Sequence, residues 1–369
     1  MGAHIYLPPP ARCESLAAMV ARFGGELTAG AARNPLAGAR DYALPTEATD
    51  EVLRYFAGLK TAEPEPGLIA TLPGGRVYGA GMVLAPDGSS IARDVSPDFG
   101  SPPDRHWLQT CTQIRPPVRI DGPVAVVAVN LGARYAHWLI EELPRLLALA
   151  PDERPALIAH GGEPFMDEAF ALGAWGNRVV RVGRHTHYEC GQLIVPGLVC
   201  RPGEPTPRVL ELLAEFTAPL RRATSVTSMH GERLYITREG AARRRVINEG
   251  ALWPRLEARG FQKLRLETLS WAEQINAFAQ AREVVAPHGA GLANLVFCRP
   301  GARVVEFFHR SYVNPCYWRL AALAGLDYRP VLSAAMEAGD MGPAFRREAG
   351  RCDIEANVAE VIHALNGGA

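Results

Sequence analysis

Apolar residues arrive in short runs between polar, glycine and proline breaks. Past residue 120 these runs alternate between two periods. "PVAVVAVN" (123–130) is a continuous apolar run, the mark of a strand buried on both faces. "YAHWLIEELPRLLALA" (135–150) has helical spacing, with Pro144 imposing a kink or restart. "PALIAH", "RVVRV" and "QLIVP" are further strands, and "PFMDEAFALGAW" is a helix between the first two. "TPRVLELLAEFTAPLRRA" (206–223) is a long helix. The pattern then repeats as strand "RLYITR", helix "NEGALWPRLEARG" ending at Gly260, strand "FQKLRLE" and helix "SWAEQINAFAQAR". Ser270 and Glu273 have the spacing of a capping box on that last helix. "EVVAP", a short helix "GAGLANLVFC", "RVVEFF", a helix "PCYWRLAALAG" and "DYRPVL" follow, and "DIEANVAEVIHALNG" is an amphipathic terminal helix.

Strand–helix alternation implies an α/β fold with parallel sheets covered on both faces. The first 120 residues are irregular and β-containing. There "VYGAGMVLAPDGSSIARDV" predicts a hairpin turning at Asp87-Gly88, with Asp87 serving the turn. The polar stretch "RRATSVTSMHGE" (221–232) marks a boundary. It predicts an N-terminal domain over 1–225 (irregular to 120, α/β beyond), a second α/β domain over 226–350, and a terminal helix over 351–369.

Composition narrows the function. With 369 residues the chain has room for two cores. Lys+Arg and Asp+Glu are 39 each, so bulk electrostatic binding of nucleic acid is not expected. Seven cysteines, never spaced C-x-x-C, read as reduced thiols. No run approaches a membrane span, and the N-terminus lacks the pattern of a signal peptide. A cytoplasmic protein is expected, with peripheral attachment to the inner face of a membrane left open. Oligomeric state is not legible.

Candidate chemistry lies where strands end, since open α/β sheets bind ligands there. His288, Gly289, Ala290 and Gly291 follow "EVVAP" and open a helix, a place that favours anions. A tight turn packed on the sheet is the alternative. Arg238 follows "RLYIT", and Arg243, Arg244 and Arg245 follow within seven positions; guanidinium forks suit diphosphate oxygens. A solvated basic loop is the alternative. Asn248 is a ligand or an N-cap and Glu249 opens the helix. Glu306 presents a carboxylate at a strand end, suited to ribose hydroxyls or to a neighbouring arginine.

In the first half, His137 and Glu141 share one helix face and either can accept a proton from a hydroxyl. Glu142 points a quarter-turn away. The alternatives are a core histidine and an Glu141–Arg145 pair at i,i+4. No G-x-S-x-G elbow, H-E-x-x-H, C-x-x-C or D-x-D at a strand end is present. Asp353 and Glu355 begin the terminal helix, the wrong place for a diphosphate-bound metal.

Together these segments resemble glycosyltransferase family 61. The resemblance lies in "HWLIEELPR", in "YITREGAARRRVINE", in the Leu269–Gln274 helix start, in His288 through Asn294 (with Leu292 between the glycines and Asn294), and in Val304–Glu306. It implies a GT-B-like fold, two Rossmann-like domains facing across a cleft. It implies inverting, metal-independent transfer of a sugar from a nucleotide-diphosphate donor to a glycan or glycolipid hydroxyl, with no cofactor and no metal. Surface or capsular polysaccharide synthesis is the process it suggests.

On that resemblance the donor side comprises Arg238, Arg244, Arg245, Asn248, Glu249, His288, Gly289, Ala290, Gly291, Leu292, Asn294 and Glu306. The acceptor side comprises Asn130, Glu142 and Arg145, with Glu141, ahead of His137, as the base. Within the donor side, Glu306 holds the ribose and His288 touches the phosphate or the sugar. A catalytically silent nucleotide- or sugar-binding protein on the same fold is the alternative. An NAD enzyme would need an acidic residue about 20 positions past the glycines, and Glu306 lies nearer than that.

Overall fold

The computed structural model describes residues 6–29, 50, 53, 56, 67–98, 101–102, 104–149, 155–223, 230–333 and 350–366. Contacts divide the chain into two compact units, Met1–Ala37 with Pro64–Gly203, and Gly38–Glu63 with Glu204–Ala369.

The first unit opens with β1 (Arg12–Glu14), α1 (Leu16–Phe23), β2 (Glu26–Ala29) and β3 (Leu68–Pro73). A meander follows, β4 (Arg76–Tyr78), β5 (Met82–Leu84) and β6 (Ser90–Ala92). The predicted turn sits between β5 and β6, where Gly88 has φ 76° and Asp87 Oδ1 accepts the Ser89 N–H at 2.9 Å. The stretch predicted as one hairpin is therefore two, because a second reversal at Gly79–Gly81 separates β4 from β5.

The α/β part comprises β7 (Val118–Val126), α2 (Tyr135–His137), a π turn (Trp138–Glu142), α3 (Leu143–Leu147), β8 (Ala156–Ala159), α4 (Pro164–Leu172), β9 (Val179–Arg181) and β10 (His187–Pro196). One ten-stranded mixed sheet runs β1-β6-β5-β4-β10-β7-β8-β9, with β3 also on β10 and β2 on β3. Strands β10, β7, β8 and β9 are parallel, and chain order reverses between β10 and β7. Met19, Leu72, Val77 and Val83 share a core with Val124, Ile158 and Leu193, so the irregular region and the α/β part form one body.

Pro144 explains the π turn. A proline cannot donate to the carbonyl four residues back. Leu143 instead donates to Trp138, a wider i→i+5 closure. The Ile140 carbonyl, which Pro144 cannot serve, takes the Cys200 thiol at 3.4 Å.

The second unit begins with α5 (Pro207–Ala223), so the division falls near residue 203 rather than at the predicted 225. The polar stretch after α5 was a boundary cue, but an amphipathic helix goes where its apolar stripe is covered. Phe216 of α5 lies against Trp271, ring centroids 6.3 Å apart. The strands are β11 (Arg233–Ile236), β12 (Gln262–Leu264), β13 (Glu283–Pro287), β14 (Arg303–Phe308) and β15 (Asp327–Leu332). Between and after them lie α6 (Glu249–Glu257), α7 (Trp271–Gln280), α8 (Cys316–Leu323) and α9 (Val358–Asn366). All five strands are parallel, in the order β12-β11-β13-β14-β15. The reversal lies between β11 and β13, the place where doubly wound sheets open a crevice at their carboxyl edge.

The capping box forms as predicted. Ser270 Oγ accepts from Glu273 N at 3.2 Å, and the Glu273 carboxylate accepts from Ser270 N at 2.7 Å. The terminal helix starts at Val358, later than predicted. It belongs to the second unit's core, where Val361 and Leu365 pack with Val285 and Val305. No described helix is long and apolar enough to cross a membrane.

Candidate functional site

Arg238 and His288 occupy the carboxyl ends of β11 and β13, on either side of the reversal. Arg238 donates through Nε and Nη2 to the Arg243 carbonyl at 3.3 and 2.9 Å, which folds the 239–243 loop around it. Its remaining nitrogen lies on the glycine turn. A Cβ at Gly289 would stand 2.3 Å from Arg238 Nη1, so glycine is what lets the guanidinium settle there. Burial, and then the nearby Arg244, pushes the Arg238 pKa down. Arg244 holds a left-handed backbone, φ 56°, and its guanidinium lies 5.8 Å from the centre of the Tyr312 ring.

The rest of the arginine segment turns elsewhere. Arg245 pairs with Asp353 at 2.7 Å. Asn248 makes two 2.8 Å bonds to the backbone of Ala356, one as donor and one as acceptor. It holds the N-cap position of α6, as the alternative had it, but its side chain makes no cap bond. Glu249 Oε1 accepts from Tyr235 and Thr237 at 2.7 and 2.6 Å. These three residues fasten the C-terminal segment and buttress β11; of the segment, Arg238 meets the glycine turn and Arg244 lies near Arg238. Asp353, the first member of the D-x-E pair, is committed to Arg245.

His288 is almost wholly enclosed. Its Nδ1 meets Glu306 Oε1 at 2.5 Å, and Tyr328 donates to Glu306 Oε2 at 2.5 Å. The ring stacks on Phe308 at 5.2 Å and lies against Tyr312 and Tyr317. Glu306 is 0% exposed with both oxygens engaged. It therefore orients His288 and does not reach out to a ribose, as the strand-end position had suggested. Burial, with Glu306 beside them, raises Tyr317 and Tyr328 well above the ordinary tyrosine pKa.

The helix after the glycine turn is 3₁₀, Ala290–Phe297, rather than α. Asn294 points inward, its amide donating to Gln274 Oε1 at 3.1 Å and to the Gly291 carbonyl at 3.2 Å. Side-chain bonds of this kind compete with regular helix. Gln274 in turn donates to the carbonyls of Leu266 and Leu269. Leu292 is core, and Ala290 and Gly291 are half-buried on the turn. The aromatic wall and Tyr328 were missed from sequence. Strand parity carried one signal. Tyr328 pairs with Val304, which lies two residues from Glu306 on the same face.

In the first unit the two adjacent glutamates separate. Glu142 turns in to the strand ends. Its Oε1 accepts from His160 N at 2.7 Å, and its Oε2 meets Val129 N at 3.2 Å and His160 Nδ1 at 2.6 Å. A Cβ at Gly132 would fall 1.9 Å from Glu142 Oε2, so only glycine admits the carboxylate. Arg145 is 0% exposed and donates to the carbonyls of Pro196 and Ala128 at 2.8 and 2.9 Å. It ties β10 to the end of β7, and no Glu141–Arg145 pair forms. Burial lowers its pKa to about 10, so it is still a cation at neutral pH. Asn130 donates to the Pro97 carbonyl at 3.3 Å. Glu142, Arg145 and Asn130 thus hold the strand ends in place.

Glu141 faces the other way. Its Oε1 accepts from Gly203 N at 3.3 Å and meets His137 Nδ1 at 2.7 Å. The His137 side chain is 24% exposed against 7% for Glu141, so the imidazole is the accessible member. Among the described residues no group of three or more His, Cys, Asp or Glu could hold a metal ion.

No curated protein matches the chain. Residues 135–305 match the family model described as Glycosyltransferase 61, a span holding the His137–Glu141 pair, Arg238, Arg244 and the glycine turn. That match makes the segment similar to glycosyltransferase family 61 and supports a glycosyltransferase, acting between a sugar donor and an acceptor.

Proposed function

We propose that the protein is an inverting, metal-independent glycosyltransferase of GT-B type. It moves a sugar from a nucleotide-diphosphate donor to a hydroxyl of a glycan or glycolipid, in the synthesis of surface polysaccharide at the inner face of a membrane. The observation that carries the reading is the meeting of Arg238 and His288 at the Gly289–Gly291 turn, with Arg244 near Arg238, at the reversal between β11 and β13. Two guanidinium groups, a histidine and the start of a helix are the equipment for a diphosphate leaving group.

The acceptor belongs to the first unit. There His137 is the base, and Glu141 accepts its Nδ1–H and orients the ring. This reverses the order expected from sequence. Support comes from the greater exposure of His137 and from the second bond that occupies Glu141. The acceptor oxygen then bonds to the anomeric carbon as the bond to the β-phosphate oxygen breaks. The acceptor proton ends on His137 and the electron pair on the diphosphate.

With Arg238 and Arg244 offsetting that charge, transfer is expected to continue at an undiminished rate in excess EDTA. A rate assay with and without chelator checks this. Loss of transfer in EDTA, restored by Mg²⁺, contradicts metal independence.

A further inference from the structure

The contact between His288 and Glu306 constrains what His288 can do for a diphosphate. Glu306 is fully buried, and among the described residues His288 is its one ion-pair partner. Tyr328 donates to one carboxylate oxygen, and the other faces Nδ1 at 2.5 Å. An ionised carboxylate only accepts, so Nδ1 carries the hydrogen. A neutral ring then offers a bare lone pair at Nε2, which has no partner among the described residues. A phosphate oxygen also offers only lone pairs. The two repel unless Nε2 is protonated.

Protonation at that nitrogen turns the repulsion into a charge-assisted hydrogen bond, with the imidazolium lying between two anions. The surroundings suit this. Tyr312 is half-buried beside the ring, and burial keeps Tyr317, Tyr328 and Cys316 neutral. Among the described residues the charges near His288 are Glu306 against its Nδ1 and Arg238 and Arg244 on the loop after β11, with Arg319, paired with Glu204, beyond Cys316. A bound diphosphate brings negative charge to the Nε2 side of the ring, opposite the Glu306 carboxylate at Nδ1.

We propose that a nucleoside diphosphate enters this site together with one proton, which is taken up on His288 Nε2 against the buried Glu306 carboxylate. Glu306 is a positioning residue in this scheme and His288 is the group that touches the phosphate. The inference rests on the donor-site reading given above.

The test is calorimetric titration of the full chain with uridine, guanosine, adenosine and cytidine diphosphates. It runs from pH 7 to 9 in buffers of different ionisation enthalpy. The binding heat is expected to depend on the buffer, with uptake rising toward one proton per diphosphate. The dissociation constant should then rise by up to about tenfold per pH unit where uptake is complete. His288→Gln and Glu306→Gln, checked for folding by thermal melting, should bind more weakly and without proton uptake. Should Glu306→Gln not fold, His288→Gln alone decides. Tight binding with buffer-independent heat and a flat pH dependence overturns the proposal and leaves the donor site standing. Uptake that persists in His288→Gln overturns it too, because the proton then sits elsewhere. If none of the diphosphates binds, the donor-site reading falls and takes this proposal with it.

Discussion

His137→Ala is expected to lower the transfer rate by about 10²–10⁴-fold, the usual contribution of a positioned general base. The loss should appear in kcat at saturating donor, with donor affinity unchanged, because Arg238, Arg244 and the glycine turn lie in the second unit. His137 sits in the last turn before the π segment, and Glu141 fixes its Nδ1 at 2.7 Å. Glu141→Gln should cost less than His137→Ala. An amide still accepts from Nδ1–H, but it no longer stabilises the imidazolium that forms as the acceptor is deprotonated. Steady-state kinetics of both variants, with melting as a check on folding, decide the matter. Full activity in His137→Ala would remove the base assignment.

Arg145→Ala is expected to destabilise the protein by about 3–5 kcal/mol, the range for removing a buried charge from beside its buried counter-charge, here Glu142. The truncation strips the donors from two strand-end carbonyls, those of Ala128 and Pro196, and opens a cavity beneath α3. Arg145→Met should cost less, since it fills most of the volume and removes the need to bury a cation. Urea denaturation of the three proteins measures the order. Equal midpoints for wild type and Arg145→Ala would mean the strand ends do not depend on the guanidinium.

Much of the fold was readable because the strands are short apolar runs closed by polar or glycine residues. "LYI", "VVAP" and "VVEFF" all became central parallel strands, and Ser270 with Glu273 marked a helix start correctly. The π turn was not readable. Helical spacing continues through 135–147, and Pro144 announces a disturbance without saying which kind.

The candidate site was half readable for a related reason. Sequence names the residue type at a strand end but not where its side chain turns. Glu141 and Glu142 are neighbours, and a wider turn of helix sends one to a histidine and the other to backbone N–H groups. Asn248 does stand at the N-cap, but its side chain goes to Ala356, 108 positions away, which nothing local announces. Glu306 looked like a ribose ligand because nothing local says that Tyr328 and His288 close over it.

The most direct test of the central claim is nucleotide-sugar binding to the second unit's glycine turn. Purified full-length protein is heated with a panel of nucleotide sugars, beside Arg238→Ala. At least one donor should raise the melting temperature of the wild type in a saturable way. A ligand at 100 times its dissociation constant adds about 2.7 kcal/mol to the folded state. The same donor should give little or no shift in Arg238→Ala. An unchanged shift in that variant, or no shift with any donor, would contradict the account.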